Sequence, residues 1–374
     1  MIELLYASLL PLVAGFVVAL ALGPVVRRAA IRFDLYDRPD GGLKPHQKPI
    51  PYLGGLAIFF GWIASIVATA CSRDIAMTPL LWLAGGGAIL MLTGLIDDIR
   101  HLPPKVRLLI QAGVAALLLY GQIGDRSLAG LIAPLLPDFD PGAIPVLGLR
   151  AATFAFCALV IAGASNSTNL IDGMDGLCAG VMAVASLGFI GLVAALADDH
   201  NVSATGGTLI VTLAVAALGA CLAFLVFNFN PASMFMGDSG SLLLGYSAAT
   251  VIILFAEHAS WRGLVAAAFV FGFPIFDTAL AVGRRALNKK PLFVGDRSHF
   301  YDQIRDRGCS IKQTVLICYA VAAAFAVLGV ALSWASNLVL ACVAIGIPVA
   351  AAVACRQFGL LRVDDTGRSS SQPN

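Results

Sequence analysis

Long apolar runs decide what this chain can fold into. Stretches of roughly 18 or more apolar residues recur along its 374 residues, and each is long enough to cross a bilayer as a helix. The chain is 59% hydrophobic and 12% charged, about half the charge of a soluble domain. The soluble reading therefore gives way to an all-α polytopic integral membrane protein. The runs predict eleven spans: 4–26, 53–72, 79–96, 107–124, 147–165, 178–197, 206–228, 240–257, 262–283, 314–333 and 338–355. The first run lacks a basic leader and is long, so it reads as a retained span, not a cleaved signal. The eight cysteines are scattered through apolar runs without a Cys-x-x-Cys pair. They read as small apolar filler, not as a disulfide framework or zinc site.

Charge sets the expected orientation. Of the 24 Lys and Arg residues, 20 fall on one side of these spans and only Arg73, Arg126, Arg150 and Arg262 on the other. The positive-inside rule makes the rich side cytoplasmic, with the N-terminus outside and the C-terminus inside. The expected organisation is one transmembrane domain over 1–355 and a cytoplasmic tail over 356–374 whose composition predicts disorder. Small residues around Gly188 and Gly191 suit ordinary helix packing, and a homodimer stays open.

The acids are more telling. Twenty are Asp; the two Glu, Glu3 and Glu257, fall on the outside. "NSTNLIDGMDGL" places Asn166, Asn169, Asp172 and Asp175 on a beat of three, just where the fifth span should leave the bilayer. On a helix, positions 166, 169 and 172 share one face, and Gly173 and Gly176 let the chain turn so that Asp175 supports them. "LIDDIRHLPPKVRLLIQ" puts the adjacent Asp97 and Asp98 at a span end, with Lys105 and Arg107 following. Repelling neighbours suggest a divalent cation or a shared proton; a solvated helix end is the plainer alternative. "FMGDSGS" sets Asp238 in a glycine-rich loop whose N–H groups could cradle a phosphate, unless Asp238 or Ser239 merely caps the next helix.

Three further stretches carry polar groups. "DRPDGGLKPHQKPIPYLGG" holds Lys44 and His46, and doubles as a positive anchor. "KKPLFVGDRSHFYDQIRDRG" holds Arg297 and His299, and alone could be an amphipathic hairpin. Asp277 lies inside the ninth span, a costly position that calls for a partner; Arg284 is at the edge of its reach. Together these clusters describe a Mg²⁺ and diphosphate site at the membrane face.

From about residue 34 to 310 these blocks, in order, resemble the polyprenyl-phosphate N-acetylhexosamine-1-phosphate transferase superfamily, glycosyltransferase family 4. "NSTNLIDGMDGL" is similar to its most specific signature, and the eleven-span count looks most like the undecaprenyl-phosphate N-acetylglucosamine-1-phosphate transferase branch. "HFYD" departs from the family's His-x-His-His cluster, with Tyr301 and Asp302 where the second and third His would stand.

The resemblance implies transfer of a HexNAc-1-phosphate, GlcNAc-1-phosphate first among them, from a UDP-sugar to polyprenyl (undecaprenyl) phosphate, with release of UMP. Its setting would be the bacterial inner (cytoplasmic) membrane, as a step of cell-envelope polysaccharide assembly. It implies Mg²⁺, with Mn²⁺ as an alternative, held by Asp238 with Asp172. Asp97 would orient or deprotonate the lipid phosphate, with Asp98 beside it, and Asp175 would support the wall. Lys44, Lys105 and Arg107 would bind phosphates, Asn169 with Asp172 would hold or support the metal and diphosphate, and His46 and Asn166 would contact the substrate. Arg297 and His299 would face the sugar nucleotide. The expected partners are the carrier lipid, the UDP-HexNAc and the bilayer, and no nucleic acid. Direct attack and a covalent Asp intermediate both stay open, as does a different donor such as UDP-MurNAc-pentapeptide. A secondary transporter is the rival from another class; its coupling residues belong near the midplane, where only Asp277 lies.

Overall fold

The computed structural model describes residues 2–38, 48–73, 75–132, 146–197, 202–288 and 299–357. Among these the protein is a helical bundle. Its helices are α1 (Ile2–Arg32), α2 (Gly54–Ser72), α3 (Met77–Arg100), α4 (Pro104–Tyr120), α5 (Ser127–Ile132), α6 (Val146–Leu170) and α7 (Leu177–Ala197). They continue as α8 (Ala204–Asn228), α9 (Gly237–His258), α10 (Ser260–Val270), α11 (Gly272–Leu287), α12 (Phe300–Asp306), α13 (Ile311–Leu332) and α14 (Asn337–Gln357). One small hairpin pairs β1 (Tyr36–Asp37) with β2 (Ile50–Pro51), antiparallel, Tyr36 opposite Pro51.

Each expected span coincides with helix. Among the described residues eight helices (α1, α2, α3, α6, α7, α8, α9 and α13) are long and apolar enough to cross a membrane. The expected fourth span is α4, whose 17 residues reach about 26 Å, a little short of a ~30 Å hydrocarbon core. The expected ninth span is not one rod. It is α10 and α11, bent by 75° at Phe271. The sequence explains the break: Pro274 has no N–H to return to Val270, and Gly272 adds flexibility beside it.

α9 is the axis of the bundle. Every residue from Ser239 to Ala256 is buried, with α2, α3, α6, α8 and α10 packed around it. A helix apolar on all sides belongs in such a place. Its few polar groups are satisfied: Tyr246 O–H donates to the Leu83 carbonyl at 2.9 Å, and Trp62 Nε1–H donates to Ser247 Oγ at 3.2 Å. At the periphery, Leu9, Leu10, Val13 and Val17 of α1 and Leu338 and Ile345 of α14 are exposed. Such outward apolar faces suit lipid contact.

The start of α9 is clamped by its neighbours. Gly54 and Gly55 N–H donate to the carbonyls of Phe235 and Met236, both at 2.9 Å, so the entry to α2 straps the segment that leads into α9. On the other side α3 approaches so closely that a Cβ at Gly94 would collide with the backbone of Asp238 and Ser239. A Gly94→Ala variant is therefore expected to lower the thermal midpoint of the detergent-solubilised protein by several degrees, an overpacking cost of about 1–3 kcal/mol. Gly113→Ala is the control, because nothing lies within 4 Å of a Cβ there. Equal midpoints for the two variants would refute the close-approach argument.

Candidate active site

Four helices deliver polar ends to one place. α3 ends with Asp97 and Asp98, α4 begins with Lys105 and Arg107, α6 ends with Asn166 and Asn169, and α9 begins with Asp238. Arg107 joins them. Its Nη1–H donates to Asp97 Oδ2 at 2.7 Å and to Asp238 Oδ2 at 3.2 Å. Its Nη2–H donates to Asn166 Oδ1 at 3.3 Å and to Asn169 Oδ1 at 3.2 Å. The Arg107 and Asp97 side chains are only 18% and 7% exposed, so water screens their pairing weakly.

The two asparagines extend the network. Asn169 Nδ2–H donates to Asp238 Oδ1 at 2.7 Å and to Ser241 Oγ at 3.1 Å. Asn166 Nδ2–H donates to the Ala162 carbonyl at 2.7 Å and to Gln111 Oε1 at 3.1 Å. Gln111 stands one turn after Arg107 on α4 and is fully buried; its Nε2 has no partner among the described residues. Its spacing of four from Arg107 was the signal in the sequence that it shares that face.

The adjacent aspartates go separate ways. Asp97 Oδ1 accepts from Leu102 N–H at 2.6 Å, while Oδ2 holds Arg107. Asp98 turns to the start of α9, where Oδ1 accepts from Asp238 N–H at 2.8 Å and Oδ2 from Ser239 N–H at 3.3 Å. This corrects two expectations. The pair needs no shared proton or cation to coexist, since each carboxylate has its own donors. The glycine-rich loop is not an open phosphate cradle, because Asp98 takes the N–H groups of Asp238 and Ser239; nor does Asp238 or Ser239 cap α9. Asp98 caps it from another helix, where the positive end of the helix dipole favours a carboxylate.

The beat of three resolves into two parts. Asn166 and Asn169 lie on the last turns of α6, but that helix ends at Leu170, so Asp172 sits in the turn beyond it and not on a shared helical face. Gly176 takes φ +80°, the left-handed turn expected of it. Gly173 serves a different end: a Cβ there would collide with the Tyr301 hydroxyl. Asp175 is turned toward the segment between α8 and α9. Its Oδ2 accepts from Asn230 Nδ2–H and Ala232 N–H, both at 2.9 Å.

Asp172 accepts no side-chain hydrogen bond among the described residues. Burial first, and then the negative charges of Asp238, Asp98 and Asp175, push its carboxyl well above the usual aspartate range. The site thus holds an excess of carboxylate over its one bonded guanidinium. All-oxygen donors with surplus negative charge fit Mg²⁺, which is held by one or two carboxylates plus phosphates and waters. Among the described residues no three His, Cys, Asp or Glu side chains form a ready cage for a metal.

The remaining expected residues divide. Lys105 is exposed at the start of α4. His299 is buried and set back against α11, where its Nδ1 meets Asp277 Oδ2 at 2.7 Å. Asp277 therefore has a partner that sequence spacing did not offer, 22 positions away. Lys44, His46 and Arg297 lie outside the described residues. Close to Asn166 on α6, an apolar cavity of about 850 Å³ opens against Gly163 and Ala164 and runs along Phe271, Ile275, Phe276 and Leu280 of the bent pair.

Residues 80–256 match the family described as glycosyl transferase family 4. The chain is 34% identical, over 87% of its length and 86% of the relative's, to a protein of Bacillus subtilis (strain 168) named as a probable undecaprenyl-phosphate N-acetylglucosaminyl 1-phosphate transferase. It is 28% identical to the decaprenyl-phosphate N-acetylglucosaminephosphotransferase of Mycobacterium tuberculosis (strain CDC 1551 / Oshkosh), over 83% of this chain and 79% of that one. It is 30% identical to a phospho-N-acetylmuramoyl-pentapeptide-transferase of Desulfotalea psychrophila, over 81% of this chain and 86% of that one.

The raised Asp172 carboxyl has a consequence for stability. A group held above its unfolded value binds its proton more tightly in the folded state, so stability falls as pH rises from about 4, the ordinary aspartate range, through the raised value. In divalent-free buffer Asp172→Asn is therefore expected to raise the thermal midpoint at pH 8 and to leave it nearly unchanged at about pH 4. An increment independent of pH, or a loss at pH 8, would contradict the electrostatic account.

Proposed function

The chain belongs to glycosyl transferase family 4, and on that premise we propose that it transfers GlcNAc-1-phosphate from UDP-GlcNAc to undecaprenyl phosphate. The products are undecaprenyl-diphospho-GlcNAc and UMP, at the start of a cell-envelope polysaccharide on the bacterial inner membrane. One observation carries the reading: Arg107 gathers Asp97, Asp238, Asn166 and Asn169 from three other helices into one acidic, oxygen-rich site. The apolar cavity one turn along α6 supports it, since a polyprenyl tail needs an apolar path beside a polar head site.

In this reading the protein has eleven spans, its N-terminus outside and the site on the cytoplasmic face. An oxygen of the lipid phosphate attacks the β-phosphorus, the bond to the bridging oxygen breaks, and UMP leaves. Such a transfer asks for positioning and charge neutralisation more than for covalent help. Asp238 and Asp172 would hold Mg²⁺, which when bound supplies positive charge at the diphosphate. Asp97, fixed by Leu102 N–H and Arg107, orients the lipid phosphate. Arg107 offers its charge to the transferring phosphoryl group, with Lys105 at the mouth of the site. Asp98 and Asp175 hold the ends of α9 and of the α8–α9 segment, so that Asp238 and Asp172 face each other across the substrate. His299, with Lys44, His46 and Arg297, contacts the donor.

The relative named as a muramoyl-pentapeptide transferase, at 30% identity, makes UDP-MurNAc-pentapeptide the second donor to test. Purified protein with undecaprenyl phosphate and Mg²⁺ should release UMP from UDP-GlcNAc faster than from other radiolabelled UDP-sugars, and chelation should stop it. Asp97→Asn, Asp172→Asn and Asp238→Asn are each expected to lower the rate at least about 100-fold, the scale of losing one electrostatic contact to a transition state. A near-normal rate in all three would remove the acidic site from the reaction, and exclusive use of UDP-MurNAc-pentapeptide would replace the donor.

A further inference from the structure

Asp277 is fully buried on α11, a helix whose other face, with Ile275, Phe276, Ala279 and Leu280, lines the apolar cavity. A carboxylate in that place is costly unless it has work and partners. Both its oxygens are used: Oδ1 accepts from Phe300 N–H at 2.7 Å, and Oδ2 meets His299 Nδ1 at 2.7 Å. With a carboxylate as acceptor, His299 carries its proton on Nδ1, which leaves Nε2 as the nitrogen that can accept.

The His299 ring then lies flat on Tyr301, with centroids 5.4 Å apart and planes 5° from parallel. Tyr301 is buried, and its hydroxyl donates at 3.2 Å to the carbonyl of Leu170, the last residue of α6. A terminal carbonyl without a helical partner needs such a donor. The same hydroxyl fills the space beside Gly173. Leu170 and Gly173 bracket Asp172. One line of contacts, Asp277 to His299 to Tyr301 to the Asp172 turn, thus joins α11, α12 and the α6–α7 connection.

The geometry points to Asp277 and Tyr301 as positioning residues for the sugar-nucleotide donor. They act through His299 and hold its imidazole at a set orientation and distance from Asp172. Asp277 fixes which nitrogen is presented, and Tyr301 fixes the plane of the ring and ties it to the turn that carries the carboxylate. The donor, not the lipid, is the substrate concerned. His299 and Tyr301 lie in the polar connection between α11 and α13, which also carries Arg305, Arg307 and Lys312, and not in a membrane-spanning helix. The inference rests on the phosphosugar-transfer reading above.

The test uses the full-length purified protein with Asp277→Asn, His299→Gln, the double variant, Tyr301→Phe and Tyr301→Leu. KM for UDP-GlcNAc, KM for undecaprenyl phosphate and kcat are measured for each, with thermal midpoints as a check on folding. Asp277→Asn and His299→Gln should each raise the donor KM at least about tenfold, as loss of a group that orients a working histidine does. The double variant should be no worse than either single one. Tyr301→Phe, which keeps the stack and loses only the hydroxyl bond, should raise it about 3–10-fold, and Tyr301→Leu further. The lipid KM should stay put.

Multiplying effects of Asp277→Asn and His299→Gln would overturn the proposal, as would equal changes in both KM values. So would a lower kcat and midpoint with an unchanged donor KM, the signature of a merely structural role. If the wild type turns over no UDP-sugar, the transfer reading fails first. Calorimetric binding of UDP-GlcNAc to the same variants then decides the positioning claim, and absence of binding to the wild type sinks both.

Discussion

The pairing of Arg107 with Asp97 and Asp238 is the contact on which the site depends. A guanidinium offers N–H groups in a rigid plane, and four of its hydrogen bonds reach α3, α6 and α9 from α4. Each of those helix ends carries a polar group that would repel its neighbours or stay unsatisfied if the cation were absent. Removing one partner from such a weakly hydrated pair costs about 3–5 kcal/mol, because the charge left behind has nowhere to go. The network therefore fixes the mutual distance of four helix ends, and with it the spacing of Asp97, Asn166, Asn169 and Asp238.

Burial supplies the stiffness behind that network. α9 is enclosed over its whole apolar length, so Asp238, at its first turn, cannot drift without moving the core. Asp98 adds the cap from α3, and glycines at 55 and 94 let α2 and α3 come against the backbone of that first turn. The same logic holds at the other wall. Asp175 ties the α6–α7 turn to Asn230 and Ala232, and Tyr319 O–H donates to the Gly176 carbonyl from α13. Asp172 is left as the side chain without a protein donor among the described residues, in a field of other carboxylates. The frame is rigid, and within it one carboxyl is held above the usual aspartate range by burial and by its acidic neighbours.

Most helices were readable from hydrophobic run length, because a helix in lipid must satisfy its own backbone and so needs about 20 apolar residues. The reading was weaker where length alone was the guide. The run 262–283 counts as a single span, yet Gly272 and Pro274 break it, and the bend puts Asp277 against α12 and Phe276 against the cavity. Among site residues, the Asp and Asn positions were legible because polar side chains at the ends of apolar runs stand out. Their partners were not. Nothing local relates Asp98 to the N–H of Asp238, 140 positions on, or Tyr301 to the carbonyl of Leu170, 131 positions back.

By itself the sequence determined the class of solvent, the helical content and where polar residues gather at helix ends, because these follow from local properties: hydropathy over one turn after another, and the charge of single side chains. Tertiary structure alone decided their roles. It set Asp98 to cap and Asp97 to hold the arginine, though the two are neighbours. It made Gly173 a place for Tyr301 instead of a hinge, and it gave the buried Asp277 its histidine. Those assignments depend on which hydrogen-bond donor arrives within 3 Å of which acceptor, and that distance is set by helix packing across the bundle, not by anything adjacent in the chain.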